Sequence, residues 1–226
     1  MPARAIWSAL WRGAPVAAVP FFVAYMIGKI LGLRLRQSWA VKRAESFSLI
    51  PREKIPGEIL DRFRPYEGAC EKAGFQLCGY FEPPYIGKKY GVVAVYLQDG
   101  GAIWATVAWV RLYWKTMSKD TIVFGCHSKL KSGIIFDTGP MAPQHFIKCM
   151  IPPSHEVIRL PLDASPQQTI EEHRARISGV SDIVCFEKYR LRDELARNAQ
   201  DVLDHFIQQR IYVPLTPNEV QRILDS

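Results

Sequence analysis

The sequence lacks the short motifs that mark most catalytic and cofactor-binding sites. No glycine-rich loop of the GxxxxGK or GxGxxG form is present, so nothing indicates a phosphate or dinucleotide site. Neither HExxH nor CxxC occurs, which argues against a compact metal site and against a redox-active cysteine pair. We therefore expect the protein to function without a cofactor or a metal ion.

Cysteine is scarce and irregularly placed. The chain has five cysteines, an odd number, and they are widely spaced in apolar surroundings. Cysteine in such surroundings usually packs as a small hydrophobic residue, so no disulfide framework is predicted. This usage fits a reducing compartment.

Acidic residues are missing from the first 43 positions, which contain seven basic ones. These seven account for the whole formal net charge of +7, so the rest of the chain is formally neutral. No basic stripe with interleaved aromatic residues occurs elsewhere, which argues against a nucleic-acid partner. The positive charge instead flanks one apolar segment, a pattern typical of membrane proteins.

The apolar segment Ala14–Leu33 has twenty residues, of which only Lys29 is charged. Its length matches the hydrocarbon core of a bilayer, although Pro15 and Pro20 would bend a helix there. A spanning helix, an anchor that lies on or re-enters the membrane, and a buried helix of a soluble protein all stay open. A cleaved signal peptide is not expected, because twenty residues is long for its apolar region.

The sequence divides into three parts. Residues 1–36 form the predicted membrane anchor, residues 37–50 a basic juxtamembrane linker or helix, and residues 51–226 a soluble domain. Four basic residues follow the apolar segment closely and only two precede it, so the domain should face the cytoplasm. Membrane lipid is therefore the expected partner of the N-terminal segment.

The stretch Tyr90–Thr138 is predicted to form four antiparallel β-strands in succession. Val, Ile, Thr and aromatic residues fill each strand, and Gly, Asp, Ser and Lys fill the breaks between them. Two glycines after Asp99 are a hairpin signal. The four strands are Tyr90–Gln98, Ala102–Trp114, Thr121–Ser128 and Gly133–Thr138, and further strands are predicted at Phe75–Phe81, Phe146–Ile151 and Val157–Leu162.

Helices are predicted on both sides of these strands in the chain. Gly57–Ala73 precedes them, a helix capped by Ser165 runs to Ile177, and the longest helix spans Ile183–Gln209. The domain should therefore be α+β, with an antiparallel meander of four to six strands covered by helices. The helical residues expected in the core are Phe63, Ile170, Leu195, Val202 and Phe206.

The strand Ala102–Trp114 is apolar on both faces, so neither face is expected to meet water. Trp104 and Trp114 share one face, and Trp109 lies on the other. Helices packed on both sides are the simplest explanation. A bound apolar ligand or a protein partner on one side is the alternative.

Four residues are candidates for a catalytic site: Cys126, Asp137, His145 and His155. The last three lie in or beside loops expected at one end of the sheet, where their side chains could meet. Cys126 precedes His127, but neighbouring side chains on a strand point to opposite faces and cannot pair directly. No spacing among the candidates matches a metal-binding motif.

These observations leave two classes of function open. The favoured one is a non-enzymatic binding or interaction domain, held at the membrane, whose partner is a protein or an apolar ligand. The alternative is an enzyme that acts on an apolar or membrane-derived substrate, at a site near Asp137, His145 and His155. Convergence of at least three of the four candidate side chains in one pocket would favour the enzyme.

The membrane assignment predicts how the protein fractionates. The full-length chain should stay with membranes after a high-salt wash, because salt screens charges but does not release an embedded apolar segment. A truncated chain that starts near Ala44 should be recovered in the soluble fraction. Recovery of the full-length chain in the soluble fraction would contradict a spanning helix.

Overall fold

The computed structural model describes residues 40–41, 47–82, 85–86, 91–114, 117–140, 151–209, 216 and 218. Within these residues the chain forms a mostly antiparallel seven-stranded sheet and three α-helices, so the predicted α+β class is confirmed. The predicted anchor at positions 1–36 lies outside them. No helix in the described ranges is long and apolar enough to cross a membrane.

The described strands form one large sheet and one short pair. In chain order they are Ala40–Val41 (β1), Ser48–Ile50 (β2), Phe75–Glu82 (β3), Tyr85–Ile86 (β4), Gly91–Gln98 (β5), Trp104–Trp114 (β6), Met117–Lys129 (β7), Ile135–Pro140 (β8) and His155–Leu160 (β9). β1 pairs with β4, and the large sheet has the order β2-β3-β5-β6-β7-β8-β9. Neighbouring strands in it are antiparallel except β8 and β9, which run parallel.

The sheet has one strand more than the upper limit predicted from the sequence. The predicted meander corresponds to β5 through β8. β2 extends one edge from within residues 37–50, where the sequence suggested a linker or a helix. β9 extends the other edge and runs parallel to β8, with His155 at its start beside Ile135 at the start of β8. The predicted strand Phe146–Ile151 falls almost entirely outside the described residues.

The turn between β5 and β6 also fixes the segment that leads into the last helix. Gly100 and Gly101 have positive φ angles of 87° and 76°, which glycine adopts without strain. A Cβ atom at Gly101 would lie 2.2 Å from the carbonyl oxygen of Phe186, so a side chain is excluded there. The Phe186 N–H donates to the Gly101 carbonyl at 2.9 Å. The phenyl ring of Phe186 packs edge-on against the indole of Trp104.

Three α-helices cover the two faces of the sheet. They are Gly57–Lys72 (α1), Pro166–Ile177 (α2) and Lys188–Gln208 (α3). α2 begins where the capping pattern predicts, because the Ser165 hydroxyl accepts a hydrogen bond from the Gln168 N–H at 3.1 Å. α3 begins five residues later than predicted, since residues 183–187 are not helical and Val184 N–H donates to the Lys129 carbonyl at 2.7 Å.

A separate hydrophobic core lies on each face of the sheet. The first core joins the sheet to α1 and α2, where Phe63 and Ile170 are fully buried. The second joins the sheet to α3, where Leu191 is buried and Leu195 is partly buried. Of the other predicted core residues, Val202 and Phe206 are half-buried. Both faces of β6 were predicted to be covered, and this holds for Trp104 and Trp109, which lie on opposite faces and are each 1% exposed. The side chain of Trp114 is outside the part of the chain that the structure describes.

Truncation of these two tryptophans should have unequal effects on stability. We expect Trp109→Ala to lower the free energy of unfolding by about 3–5 kcal/mol, since its indole is enclosed in the first core. Trp104→Ala should cost less, because Trp104 borders a cavity and loses fewer packing contacts. Urea denaturation of the full-length protein measures both, and Tyr189→Ala at an exposed site is the control. A larger loss for Trp104→Ala would contradict this assignment.

Candidate functional site

A cavity of about 500 Å³ lies between the sheet and α3. Small residues on both walls create the space: Ala108 and Gly125 on the sheet, and Ala199 on the helix. Gly139 on β8 has a further role, because a Cβ atom there would lie 2.7 Å from the carbonyl oxygen of Phe124. Most of the remaining lining is aliphatic or aromatic, so the cavity is predominantly apolar.

Three polar side chains from consecutive strands meet in the wall of this cavity. His127 of β7 lies directly opposite Asp137 of β8 in the antiparallel register, so both side chains point to the same face. His155 at the start of β9 pairs with Ile135, two residues before Asp137, and therefore points the same way. His127 Nδ1 lies 2.6 Å from one carboxylate oxygen of Asp137, and His155 Nδ1 lies 2.6 Å from the other.

The Asp137 carboxylate is ionised under ordinary conditions. Burial alone would raise the pKa of Asp137, but the hydrogen bonds from His127 and His155 outweigh it and hold the pKa well below its usual value. An ionised carboxylate only accepts hydrogen bonds, so Nδ1 of each histidine must carry the proton. When these imidazoles are neutral, Nε2 of each is therefore a hydrogen-bond acceptor.

The two histidines differ in what their Nε2 atoms contact. The Thr106 hydroxyl lies 3.0 Å from His127 Nε2 and donates to it when His127 is neutral. His155 Nε2 is buried and has no hydrogen-bond partner among the described residues, although His155 lines the cavity. Asn198 on α3 presents a second buried acceptor, Oδ1, which also lacks a partner in the described part of the chain. Both atoms are inaccessible to solvent, so they are buried polar atoms without partners rather than groups exposed to the open space of the cavity.

The structure brings together two of the four residues that the sequence suggested. Asp137 and His155 are in contact. Cys126 lies on the opposite face in the first core, where burial raises the pKa of its thiol, so it neither reaches the cavity nor supplies a thiolate. His145 lies outside the described residues. The sequence analysis missed one residue of the site, His127, which it considered only as a partner for Cys126. Pairing the predicted strands residue by residue would have placed His127 opposite Asp137.

A second polar cluster lies on the other face of the same two strands. His173 of α2 is fully buried, with Nε2 3.0 Å from the Ser128 hydroxyl and Nδ1 2.9 Å from the Thr138 hydroxyl. Burial is the main cause, and the nearby positive charge of Arg176 adds to it, so the pKa of His173 is lowered to about 3. His173 is therefore neutral and both ring nitrogens are bonded, which indicates that it fastens α2 to the sheet rather than serving a ligand.

The site has part of the geometry of a nucleophilic centre. Thr106, His127 and Asp137 follow the order hydroxyl, imidazole, carboxylate that activates nucleophiles in many hydrolases. Thr106 lies in mid-strand, paired with Val95 and Gly125, so the backbone amides around it are used by the sheet. In the described structure we find no donor pair beside Thr106 that would stabilise an oxyanion, as acyl transfer requires.

No three His, Cys, Asp or Glu side chains in the described residues are placed to hold a metal ion together. In this cavity the reason is that both carboxylate oxygens of Asp137 are already hydrogen-bonded to the two imidazoles.

The chain matches no protein-family model, no curated protein and no solved structure.

The shared carboxylate predicts how stability depends on pH. Because the pKa of Asp137 is lower in the folded than in the unfolded protein, its stabilisation is present above about pH 4 and lost as pH falls below that value. Asp137→Asn should lower the free energy of unfolding by about 1.5–3 kcal/mol at pH 7, because hydrogen bonds to a charged group are lost. The difference from the wild type should shrink below pH 4.

Urea denaturation between pH 7 and pH 2.5 measures this difference. Asp163→Asn at an exposed position is the matched control and should follow the wild-type profile. A difference between the Asp137→Asn variant and the wild type that stays constant below pH 4 would show that Asp137 is not held as a carboxylate by the two histidines.

Proposed function

We propose that the domain binds a small, mainly apolar molecule in the cavity between the sheet and α3. The observation that carries this proposal is a predominantly apolar cavity of about 500 Å³ with the polar side chains of Thr106, His127 and Asp137 among its lining residues. Its volume falls within the range of about 300–1,000 Å³ that is common for small-molecule sites. Sites of this kind combine apolar walls with a few polar groups that fix the orientation of the ligand.

The exposure of the apolar lining supports an occupant. The cavity is partly open to solvent and its lining is mostly apolar, so it leaves apolar side chains, Val123 among them, in contact with water. A ligand with an apolar surface would remove these side chains from water when it binds.

The placement of the candidate residues favours binding over catalysis. The enzymatic alternative required three of Cys126, Asp137, His145 and His155 to converge in one pocket. Among the described residues only Asp137 and His155 do so, and Cys126 lies on the opposite face. We therefore keep a non-enzymatic binding domain as the proposed function.

We further propose that the N-terminal segment holds this domain at a membrane. The support comes from the sequence alone, namely the apolar run Ala14–Leu33 and the basic residues around it. A membrane concentrates apolar molecules, so a tethered domain with an apolar cavity would lie close to its source of ligand. On the same argument, the excess of basic residues after the apolar run favours the cytoplasmic side for the domain.

Filling the cavity should abolish ligand binding without unfolding the protein. We expect the full-length protein to bind Nile red, an uncharged fluorescent dye, with an increase in fluorescence because the dye leaves water. Ala199→Phe should lower the affinity at least about tenfold, because the added ring occupies the space that the dye requires. A fluorescence titration of protein held in lipid nanodiscs measures this, with empty nanodiscs as the blank.

The control variant is Ala175→Phe, which adds the same ring at an exposed position on α2 away from the cavity. It should bind Nile red as the wild type does. Equal binding by the wild type and the folded Ala199→Phe variant would place the dye elsewhere and contradict the proposed cavity. Thermal unfolding of each variant establishes that it is folded.

A further inference from the structure

We propose that the cavity holds the hydrocarbon chain of a long-chain fatty acid, whose carboxylate pairs with Arg159 at the edge of the sheet. The inference rests on the proposed function and names the chemical class of the ligand. Two observations carry it. A furrow of small residues, formed by Thr106, Gly125 and Gly139, crosses the strands on the side of the cavity, and this furrow ends at the exposed Arg159.

The floor of the furrow is one row of paired residues in the sheet. Thr106 on β6 pairs with Gly125 on β7. Gly139 on β8 comes next in the row, since a Cβ atom there would lie 3.5 Å from Cα of Gly125. All three residues line the cavity. Because paired residues of adjacent strands lie side by side, the furrow crosses the strands instead of following one of them.

Two further rows of cavity-lining residues border this floor, and a stripe of α3 covers it. The bordering rows, each continuous across three strands, are Trp104–His127–Asp137 and Val93–Ala108–Val123. The stripe of α3 consists of Leu195, Asn198, Ala199 and Val202, which recur at the spacing of one helix face. The furrow is therefore enclosed from below, from above and along both sides.

The cavity is long for its volume. Its lining residues lie on five neighbouring strands, from Val93 on β5 to Val157 on β9. Neighbouring strands are about 4.8 Å apart, so β5 and β9 are separated by about 19 Å. A volume of about 500 Å³ that extends over such a distance is narrow, and its shape suits one extended hydrocarbon chain.

The two ends of the furrow differ in character. Val95, which pairs with Thr106, is fully buried and closes the row at β5. At the other end Gly139 pairs with Arg159 on β9, an edge strand of the large sheet. Arg159 is exposed and follows the cavity-lining Val157 by two residues, so both side chains project from the same face of β9. An apolar channel with one charged end fits an amphipathic ligand.

The Arg159 guanidinium is available to a ligand. It forms no salt bridge with any residue that the structure describes. Its acidic neighbour Glu156 points to the opposite face of the sheet, where it pairs with Arg176 at 3.2 Å. A guanidinium is always protonated and binds a carboxylate through two parallel hydrogen bonds.

The charges inside the cavity determine which way the ligand is oriented. Asp137 is ionised, and the described lining residues include no Lys or Arg. Lys129, on the same face of β7, already pairs with Glu194. A carboxylate deep in the cavity would therefore add a second buried negative charge, which is strongly unfavourable. The chain must enter the furrow first, and the carboxylate stays at the exposed edge beside Arg159.

Three probes separate the contribution of the chain from that of the charge. Myristate has both, 1-tetradecanol has a chain of the same length without a charge, and pyrene-1-carboxylate has the charge on a fused ring system. Displacement of Nile red from the full-length protein in phosphatidylcholine nanodiscs at pH 8 gives their relative affinities, after partitioning into empty nanodiscs is subtracted. We expect myristate to bind at least about threefold more tightly than 1-tetradecanol, with pyrene-1-carboxylate weakest.

Two variants test the two ends of the argument. Arg159→Gln removes the positive charge and should reduce the affinity for myristate to that for 1-tetradecanol, whose affinity should change little. Ala108→Leu narrows the furrow and should weaken both ligands together. The matched control is Arg64→Gln on α1, which covers the other face of the sheet. It loses only a surface ion pair with Asp61 and should leave all affinities unchanged.

The outcomes separate this inference from the proposed function. Equal affinity of the wild type for myristate and 1-tetradecanol would overturn the inference and leave an apolar binding site in place. An equal loss of myristate affinity in Arg159→Gln and Arg64→Gln would also overturn it, because the anion would then respond to the basic surface in general. Tighter binding of pyrene-1-carboxylate than of myristate would exclude the chain.

Failure of the wild type to bind Nile red or any of the three probes would overturn the proposed function and the inference with it. Thermal unfolding establishes that each variant is folded. If Ala108→Leu does not fold, the wild-type series and Arg159→Gln, a change at an exposed position, still decide.

Discussion

The carboxylate of Asp137 is the group on which the cavity wall depends. It accepts a hydrogen bond from β7 through His127 and another from β9 through His155, so one side chain links three adjacent strands. A negative charge in an apolar wall is unfavourable unless donors surround it, and the two imidazoles provide them. In return the carboxylate keeps a proton on Nδ1 of each ring and so fixes the orientation of both imidazoles.

Alternation along β7 and β8 places two polar clusters back to back. His127 and Asp137 face the cavity, whereas Ser128 and Thr138, one residue further along each strand, face α2 and hydrogen-bond to His173. The cluster toward α2 is fully satisfied and closes that face as a core. The cluster toward α3 lies in the cavity wall, where Nε2 of His155 is buried without a partner among the described residues. The same two strands thus close a core on one side and border a cavity on the other.

Local signals in the sequence predicted the parts of the fold that depend on neighbouring residues. The meander, the hairpin glycines and the cap at Ser165 all appear where the sequence places them. Pairings across longer stretches were not predictable in this way. The parallel placement of β9 depends on how the chain returns after β8, and the contact of His155 with Asp137 depends on that register. His127 was identifiable only by pairing β7 with β8 residue by residue, rather than by testing it against its neighbour Cys126.

The attachment of α3 explains how a cavity persists beside a packed core. The first half of the helix is held firmly: Leu191 is buried, and Glu194, 2% exposed, pairs with Lys129 of β7 and with Arg197 at 3.0 Å. The residues that line the cavity, from Leu195 through Val202, come later and include the small Ala199. A buried ion pair at one end therefore sets the distance of the helix from the sheet, and small side chains beyond it leave the gap open. Larger residues at those positions would fill the space and bury more apolar surface, so the cavity depends on the small side chains of this half of the helix.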